Sequence, residues 1–444
     1  MRIQLSDHFT YGKLIKFTLP SIAMMIFTSI YNVVDGFFVS NFAGKIPFAA
    51  INLIMPVLIM LGTVGFMFGT GGTAIVAKTL GEGHKEKANS YFSLFVYVAF
   101  AIGIVLAASG FIFIRPICSL LGASGELSEN CVVYARIVLA SLPFFVLQIM
   151  FQSFFVAAEK PHLGLTVAIS SGVTNMALDA VLVVLLPQQY KLAGAAVATA
   201  MSEVVGGVVP LFYFFRKNSS LLRLGTTKYD GRAIFKACAN GSSEFMSNIS
   251  MSFVGMLYNL QLMKYAGENG VAAYGVMMYV SMVFSAAFIG YSMGTAPIVS
   301  YHYGAKNHTE LKGLLRQSIT MIAVFGVSMV ICAQLLAVPL ANIFVGYDAV
   351  LEKLTVSGFR IFSLSFGFMG AGIFSSGFFT ALNDGVTSAI ISFLRTFIFQ
   401  AVAIMTLPVM LGIDGVWISI VAAEFMSVVL GVSFLVAKRK RYHY

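Results

Sequence analysis

The run "FAGKIPFAAI" at residues 42–51 returns as "YAGENGVAAY" at residues 265–274, 223 positions later. The same offset pairs Gly81 in "KTLGEGH" with Gly304 in "YHYGAKN". At 224 positions "YARI" (134–137) meets "GFRI" (358–361), and "SFFVAAE" (153–159) meets "GFFTALN" (377–383). At 221, "GAAVATAMSE" ending at Glu203 meets "GVWISIVAAE" ending at Glu424. An offset that drifts so little along the chain marks a duplication.

The repeated unit is apolar. Of 444 residues, 58% are hydrophobic and 10% charged, with a mean hydropathy of +0.88. A soluble chain carries roughly 25% charged residues. The spacing of polar punctuation predicts twelve helical spans, near 14–40, 50–78, 91–114, 130–157, 162–186, 192–215, 236–264, 271–300, 314–338, 350–381, 386–411 and 415–437. Barrel-type alternation is absent, so the fold class is all-α and polytopic. Each half holds six spans, an even number. The halves therefore share one topology and are related by an axis along the membrane normal. The expected division is an N-terminal lobe 1–215, a charged linker 216–235 and a C-terminal lobe 236–444.

Basic residues set the orientation. Twenty of the 28 Lys and Arg fall on the side of the termini, among them Arg2, the 216–236 cluster and "KRKR" at 438–441. Seven fall on the other side, and Arg395 lies inside a span. That asymmetry predicts cytoplasmic termini and explains the formal net charge of +10 without nucleic acid. The N-terminus runs into a long span with no small-residue cleavage site, so it does not read as a removable signal peptide. Cys118 and Cys131 flank one hairpin connection, which leaves a disulfide and two apolar membrane cysteines both open. The six histidines lie at termini or in loops, without metal spacing, and there is no P-loop. No cofactor is expected, and no enzyme chemistry.

The intramembrane polar residues are the candidates for function. Asn175 and Asp179 are at i and i+4 and share one helical face. Asp35 lies about 9 Å from the outer end of its span and Asp179 about 11 Å, with Thr199 at similar depth. Two carboxylates, an amide oxygen and a hydroxyl in one layer suit a shared proton or a hard cation. A lone ionised acid in lipid costs at least about 2.5–3.5 kcal/mol, so such residues are functional candidates by default. Glu203 and Glu424 are repeat counterparts near mid-membrane. Arg395 and Glu424 reach similar depth across one hairpin and form an expected structural charge pair. Glu203 has no evident cationic partner and is a substrate or gating candidate. Glu244 joins it, with the polar span residues Tyr31, Asn32, Gln148, Gln152, Asn248, Tyr258, Asn259 and Gln261.

Several segments resemble the multidrug and toxic compound extrusion (MATE) family: "VDG" at 34–36, "GTGGTAIVAKTLGEG" at 69–83, "TNMALDAV" at 174–181 and "MGTAPIVSYHYGAKN" at 293–307. "NGSSEF" at 240–245 and "ALNDG" at 381–385 look like its MepA-like bacterial branch. The resemblance implies two V-arranged six-helix lobes in a monomer. It implies export of cationic amphiphilic compounds across a bacterial plasma membrane in exchange for H⁺ or Na⁺. It also implies a cation site in the N-terminal lobe on the positions matching Asp35, Asn175, Asp179 and Thr199. Sodium-coupled members of another branch pair a Glu in span seven with an Asp in span ten. Here Glu244 matches the first and no acid matches the second. A lipid-linked oligosaccharide flippase of the same superfamily is the rival within transport, and a polytopic membrane enzyme the rival outside it.

Overall fold

The computed structural model describes residues 3–444; Arg2, counted above among the basic residues of the terminal side, lies outside the described residues. The first half consists of α1 (Tyr11–Phe38), α2 (Lys45–Met67), α3 (Thr73–Gly81), α4 (Lys85–Leu120), α5 (Gly125–Ala157), α6 (Pro161–Leu185) and α7 (Lys191–Phe215). The second consists of α8 (Gly231–Asn240), α9 (Ser242–Gly304), α10 (His308–Val345), α11 (Ala349–Phe362), α12 (Phe366–Ala381), α13 (Gly385–Phe393), α14 (Phe399–Leu411) and α15 (Ile413–Tyr442). Three five-residue π-helical turns interrupt this order: Val39–Ala43 after α1, Phe68–Gly72 joining α2 to α3, and Leu394–Ile398 joining α13 to α14.

Among the described residues, eleven continuous helical segments are long and apolar enough to cross a bilayer. The longest, α9, contains two of the twelve spans. Gly267 breaks it with φ 60° and ψ −150°. Tyr258 and Tyr274 stack with ring centroids 5.2 Å apart. A straight helix would hold them about 24 Å apart, so the chain folds back at this glycine. Gly44, its repeat counterpart, also has positive φ, at 107°, and separates α1 from α2. Both glycines sit in the quoted repeat. A tight reversal between two spans needs this left-handed backbone, which side-chain-bearing residues seldom adopt.

The seventh span begins later than its hydropathy suggests. Asp230 caps α8 by accepting from the Arg232 and Ala233 backbone N–H groups at 3.0 Å each. That short helix ends at Gly241, and the apolar span starts at Ser242. Gly241 is where the chain packs backbone to backbone: a Cβ built there would lie 2.2 Å from the Met67 carbonyl oxygen.

Among the described residues, four apolar clusters hold the molecule together, and their membership describes its shape. Two of them join residues of both halves, such as Leu14, Phe17 and Val156 with Phe288, Ile298 and Phe378, or Phe68, Val76 and Phe92 with Ala233 and Ala237. Both lie toward the face that carries the termini. The other two, one spanning Val39 to Ala196 and the other Val254 to Ile420, each belong to a single half at the opposite face. The halves are sealed at the terminal face and separate at the other.

The N-terminal segment ties the seal. Leu5 and Phe9 are fully buried. The Leu5 N–H donates to Glu159 Oε1 in the first half, and the Phe9 N–H to Glu310 Oε1 in the second, both at 2.8 Å. Gln317 Nε2 donates to the Phe9 carbonyl at 2.8 Å. Cys118 and Cys131 are buried free thiols, so the disulfide alternative is not realised.

Candidate cation-coupling site and a second charged cluster

In the first half, α1, α5, α6 and α7 converge on one polar layer. α6 supplies Asn175 and Asp179 from one face; Asp179 is 0% exposed and Asn175 nearly so. α1 supplies Asp35, whose carboxyl interacts with that of Asp179. α7 supplies Thr199 and α5 supplies Tyr134, and both hydroxyls are buried. Among the described residues, six buried oxygens of this layer have no aligned hydrogen-bond partner: Asp35 Oδ1, both oxygens of Asp179, Asn175 Oδ1, Thr199 Oγ1 and the Tyr134 hydroxyl. Buried oxygens are nearly always paired, so a set of orphans in one place is a chemical signature. Two facing carboxyls satisfy each other only when a proton lies between them, or when a cation is coordinated by both.

The layer continues toward the terminal face. Glu203, one turn beyond Thr199 on α7, is 6% exposed and lies 2.5 Å from the Ser141 hydroxyl. Tyr31, one turn before Asp35 on α1, lays its ring against Gly172 of α6. Gln148 Nε2 donates to Ser171 Oγ at 3.0 Å, and Ser171 donates to the Ser202 carbonyl at 2.7 Å. Gln152 lines a small cavity with Gln148. Asn32 is exposed. Sequence reasoning passed over Tyr134 and Ser141. Their signal was present, since Tyr134, Ser141 and Gln148 recur every seven residues and hence on one face of α5.

The second half holds a different arrangement. Arg395 Nε donates to Glu424 Oε2 and its second guanidinium nitrogen to Glu424 Oε1, each at 2.9 Å. This two-pronged geometry matches the planar fork of the arginine to the carboxylate. Arg395 sits in the π-turn Leu394–Ile398, a backbone feature that often marks functional positions. Glu244, on α9, lies near enough to feel the Arg395 charge. Tyr258, at the position equivalent to Asp35, donates to Gln400 Oε1 at 2.7 Å. Asn248 Nδ2 donates back to the Glu244 carbonyl at 2.9 Å, and Asn259 is exposed. Gln261 Nε2 meets Met405 Sδ at 3.4 Å. Asp384 caps α13 in the connection after α12, away from the spans. The orphaned oxygens of the first half thus have no counterpart pair of acids in the second.

A helical bundle with duplicated halves, sealed at one face and carrying buried acids, defines a membrane transporter class. The MatE family pattern matches residues 20–181 and again residues 245–406, and the chain belongs to that family. It is a multi-pass membrane transporter, not an enzyme. Among its relatives, the multidrug export protein MepA of Staphylococcus haemolyticus (strain JCSC1435) is 26% identical over 437 residues, covering 97% of this chain and 94% of the relative. MepA of Staphylococcus aureus (strain MRSA252) is 24% identical over 416 residues, covering 93% and 91%. The fold superposes on an outward-facing multidrug resistance MATE family transporter of the MOP superfamily with a TM-score of 0.91, 22% identity, and 97% and 96% of the two chains covered. A MOP superfamily transporter from Pyrococcus furiosus gives a TM-score of 0.90 at 22% identity, with 98% and 97% covered.

Proposed function

We propose that this chain is a secondary active multidrug exporter that extrudes cationic amphiphilic compounds in exchange for H⁺ or Na⁺. It works as a monomer in a bacterial plasma membrane with both termini in the cytoplasm. The lobes are residues 1–215 and 236–444, joined by the linker 216–235, and the coupling ion is the only cofactor. The observation that carries this reading is the layer of unpartnered oxygens on Asp35, Asn175, Asp179, Thr199 and Tyr134. In lipid such a layer is costly unless it binds a cation or a proton. The MepA relatives, named as multidrug export proteins, support export of drugs.

With the termini in the cytoplasm, the sealed face is cytoplasmic and the cleft opens outward. The cation enters from outside at Asp35, which is part exposed, while Asp179 is fully buried behind it. Binding neutralises the pair, which removes the reason for the lobe to stay hydrated and favours its closure. Substrate meets the polar groups Tyr31, Asn32, Gln148, Gln152, Asn248, Tyr258 and Asn259, with Glu203 and Glu244 as the acids available to a cationic ligand. A flippase for pyrophosphate-linked lipids calls for unpaired basic residues in the cleft. Arg395 is instead engaged by Glu424, which weighs against that rival.

The test is efflux of ethidium from cells expressing the wild type or Asp179→Asn, with the pH and sodium gradients collapsed separately. Efflux that fails with one gradient, and a variant inactive under both, support the coupling site and name the ion. A variant that pumps normally sinks the assignment to Asp179. A wild type that exports no cation under any gradient sinks the drug-exporter reading.

A further inference from the structure

The segment that joins the two halves is tied to the first of them. Asn89, Ser93 and Tyr97 recur every four residues on one face of α4. Asn89 Oδ1 accepts from the Arg223 N–H at 2.7 Å and Ser93 Oγ from the Gly225 N–H at 3.0 Å. The Tyr97 hydroxyl donates to the Gly225 carbonyl at 3.0 Å. Leu222 and Leu224 are buried. The chain therefore enters α8 in a fixed orientation.

That helix has an inner and an outer face. Inside, Ala233 and Ala237 are buried in the cluster that holds Phe68 and Phe92. A Cβ built on Gly71 would lie 2.2 Å from the Ala237 carbonyl oxygen, and Asn240 Nδ2 donates to the Thr380 carbonyl at 2.9 Å. Both halves thus grip the inner face. Outside, two rows run side by side, each with its members one turn apart. Arg232 and Lys236 form the basic row, and both are exposed. Gly231 and Phe235 form the other, and Tyr229 supplies the ring that Gly231 lacks. A Cβ built on Gly231 would lie 3.2 Å from the Tyr229 hydroxyl oxygen. Tyr229 is 84% exposed and Phe235 74%.

Rings left this bare beside cations match a helix lying in the headgroup layer, with its rings toward the acyl chains and its cations at the phosphates. The layer is within reach, because Gly241 alone separates α8 from the membrane-spanning α9. Charge then selects the headgroup. Lys228, Arg232 and Lys236 are exposed, and among the described residues none of the three is in an ion pair. The one acid between them, Asp230, has its Oδ1 engaged by the Arg232 and Ala233 N–H groups. Three cations against one acid favour a lipid with net negative charge over a zwitterionic one.

We propose that α8, with Tyr229, is an interfacial anchor that docks on anionic phospholipid headgroups at the terminal face. The anchor sets the depth at which α9 enters the bilayer. Calling that leaflet cytoplasmic rests on the orientation given under Proposed function; the docking itself does not.

The experiment places the full-length Phe235→Trp variant in phosphatidylcholine–phosphatidylglycerol vesicles with both leaflets alike, so orientation does not enter. The native tryptophan, Trp417, is 1% exposed and is subtracted as the wild-type signal. Acrylamide quenches an indole in water, and lipids brominated near the headgroup quench one in the interface. Melting temperature is the fold control, and Tyr229→Trp carries the same readings if Phe235→Trp does not fold. Expected is an indole shielded from acrylamide and quenched by brominated lipid. As a minor component, brominated phosphatidylglycerol should be favoured over brominated phosphatidylcholine by about fivefold or more, the ratio that one cation at a charged surface provides. Adding Arg232→Gln and Lys236→Gln should level the two lipids at an unchanged melting temperature. An indole quenched by acrylamide and not by lipid overturns the proposal and puts the face in water. Equal quenching by both lipids, or a preference that survives loss of the two cations, overturns the headgroup selection. Ethidium export is not the readout, so failure here leaves the exporter reading standing, and a chain that exports nothing leaves the anchor standing.

Discussion

Gly81 and Gly304 hold the same place in the two halves, and each packs on the other's helix where a side chain would be. A Cβ built on Gly81 would lie 2.0 Å from the Tyr301 carbonyl oxygen, and one on Gly304 would lie 2.1 Å from that of Lys78. The ends of α3 and α9 therefore cross with their backbones in contact, and the crossing closes the terminal face. Gly81→Ala is expected to force these helices apart, at a cost of about 1–3 kcal/mol typical of overpacking. It should lower the melting temperature and leave export weakened, with spin labels on the two helix ends further apart than in the wild type. An alanine variant that melts and exports normally would show that the seam does not need this contact.

The aspartate pair is expected to act as a unit. If Asp35 and Asp179 share one proton or one cation, Asp35→Asn and Asp179→Asn each abolish coupled export. The double variant is then no worse than either single one, because groups that act together are non-additive. Export rates of the three variants, measured with matched membrane levels, decide this. A double variant with a clearly larger defect than both singles argues for independent roles.

The Arg395–Glu424 pair should behave as a buried salt bridge. Removing one partner, as in Glu424→Gln, leaves a charge in the spans and costs about 3–5 kcal/mol. Arg395→Met with Glu424→Gln removes both charges and should recover much of the melting temperature. Recovery of stability without recovery of transport would mean that the pair also serves the cycle. A Glu424→Gln single variant as stable as the wild type would contradict the geometry seen here.

The N-terminal strap should report the state of the seal. Glu310→Ala removes the acceptor of the Phe9 N–H and the carboxylate that meets His8 Nδ1 at 2.7 Å. Expected is faster proteolysis near Leu5–Phe9, and faster hydrogen exchange at the Phe9 amide by about tenfold if one such bond is lost. Unaltered protection would mean that burial of Leu5 and Phe9 alone holds the segment.

The C-terminal end carries its own pH dependence. Burial alone would push Asp384 up, but hydrogen bonds from Lys438, Thr387 and Tyr442 outweigh it and bring the carboxyl below its ordinary 3.8. Lys438 Nζ lies 2.6 Å from Asp384 Oδ2, and the Tyr442 hydroxyl donates to the same oxygen at 2.8 Å. An acid whose folded value is depressed stabilises above its unfolded value, and that contribution is lost as pH falls through the folded one. Docking of α15 on α13 should thus persist from neutral pH to about pH 4 and weaken below it. Asp384→Asn should flatten the acid limb of a melting-temperature profile, and an unchanged limb would place the acid sensitivity elsewhere.

Much of this molecule is legible in local pattern. Run length and polar punctuation locate the spans, because a bilayer sets the length of every helix that crosses it. The constant offset exposes the duplication, and the i, i+4 spacing puts Asn175 beside Asp179. These are periodicities of one chain segment, and a sequence displays them directly. The α8 break at Gly241 is less visible, since Asp230 and Gly241 are ordinary residues until the packing against Met67 is known.

The remainder depends on which helices touch. Asp35 and Asp179 lie 144 positions apart, and only the packing of α1 on α6 makes them face each other. Glu203 has no sequence neighbour to explain it, yet Ser141, 62 residues earlier on α5, gives it a hydrogen-bond donor. The seam of Gly81 and Gly304 likewise exists only where two helices cross. The sequence by itself determined the medium, the spans, the repeat and the faces of single helices, because burial in lipid and helical period act along one segment. The tertiary structure decided the acid pair and the closed face, because those are distances between segments, set by packing that no single segment encodes.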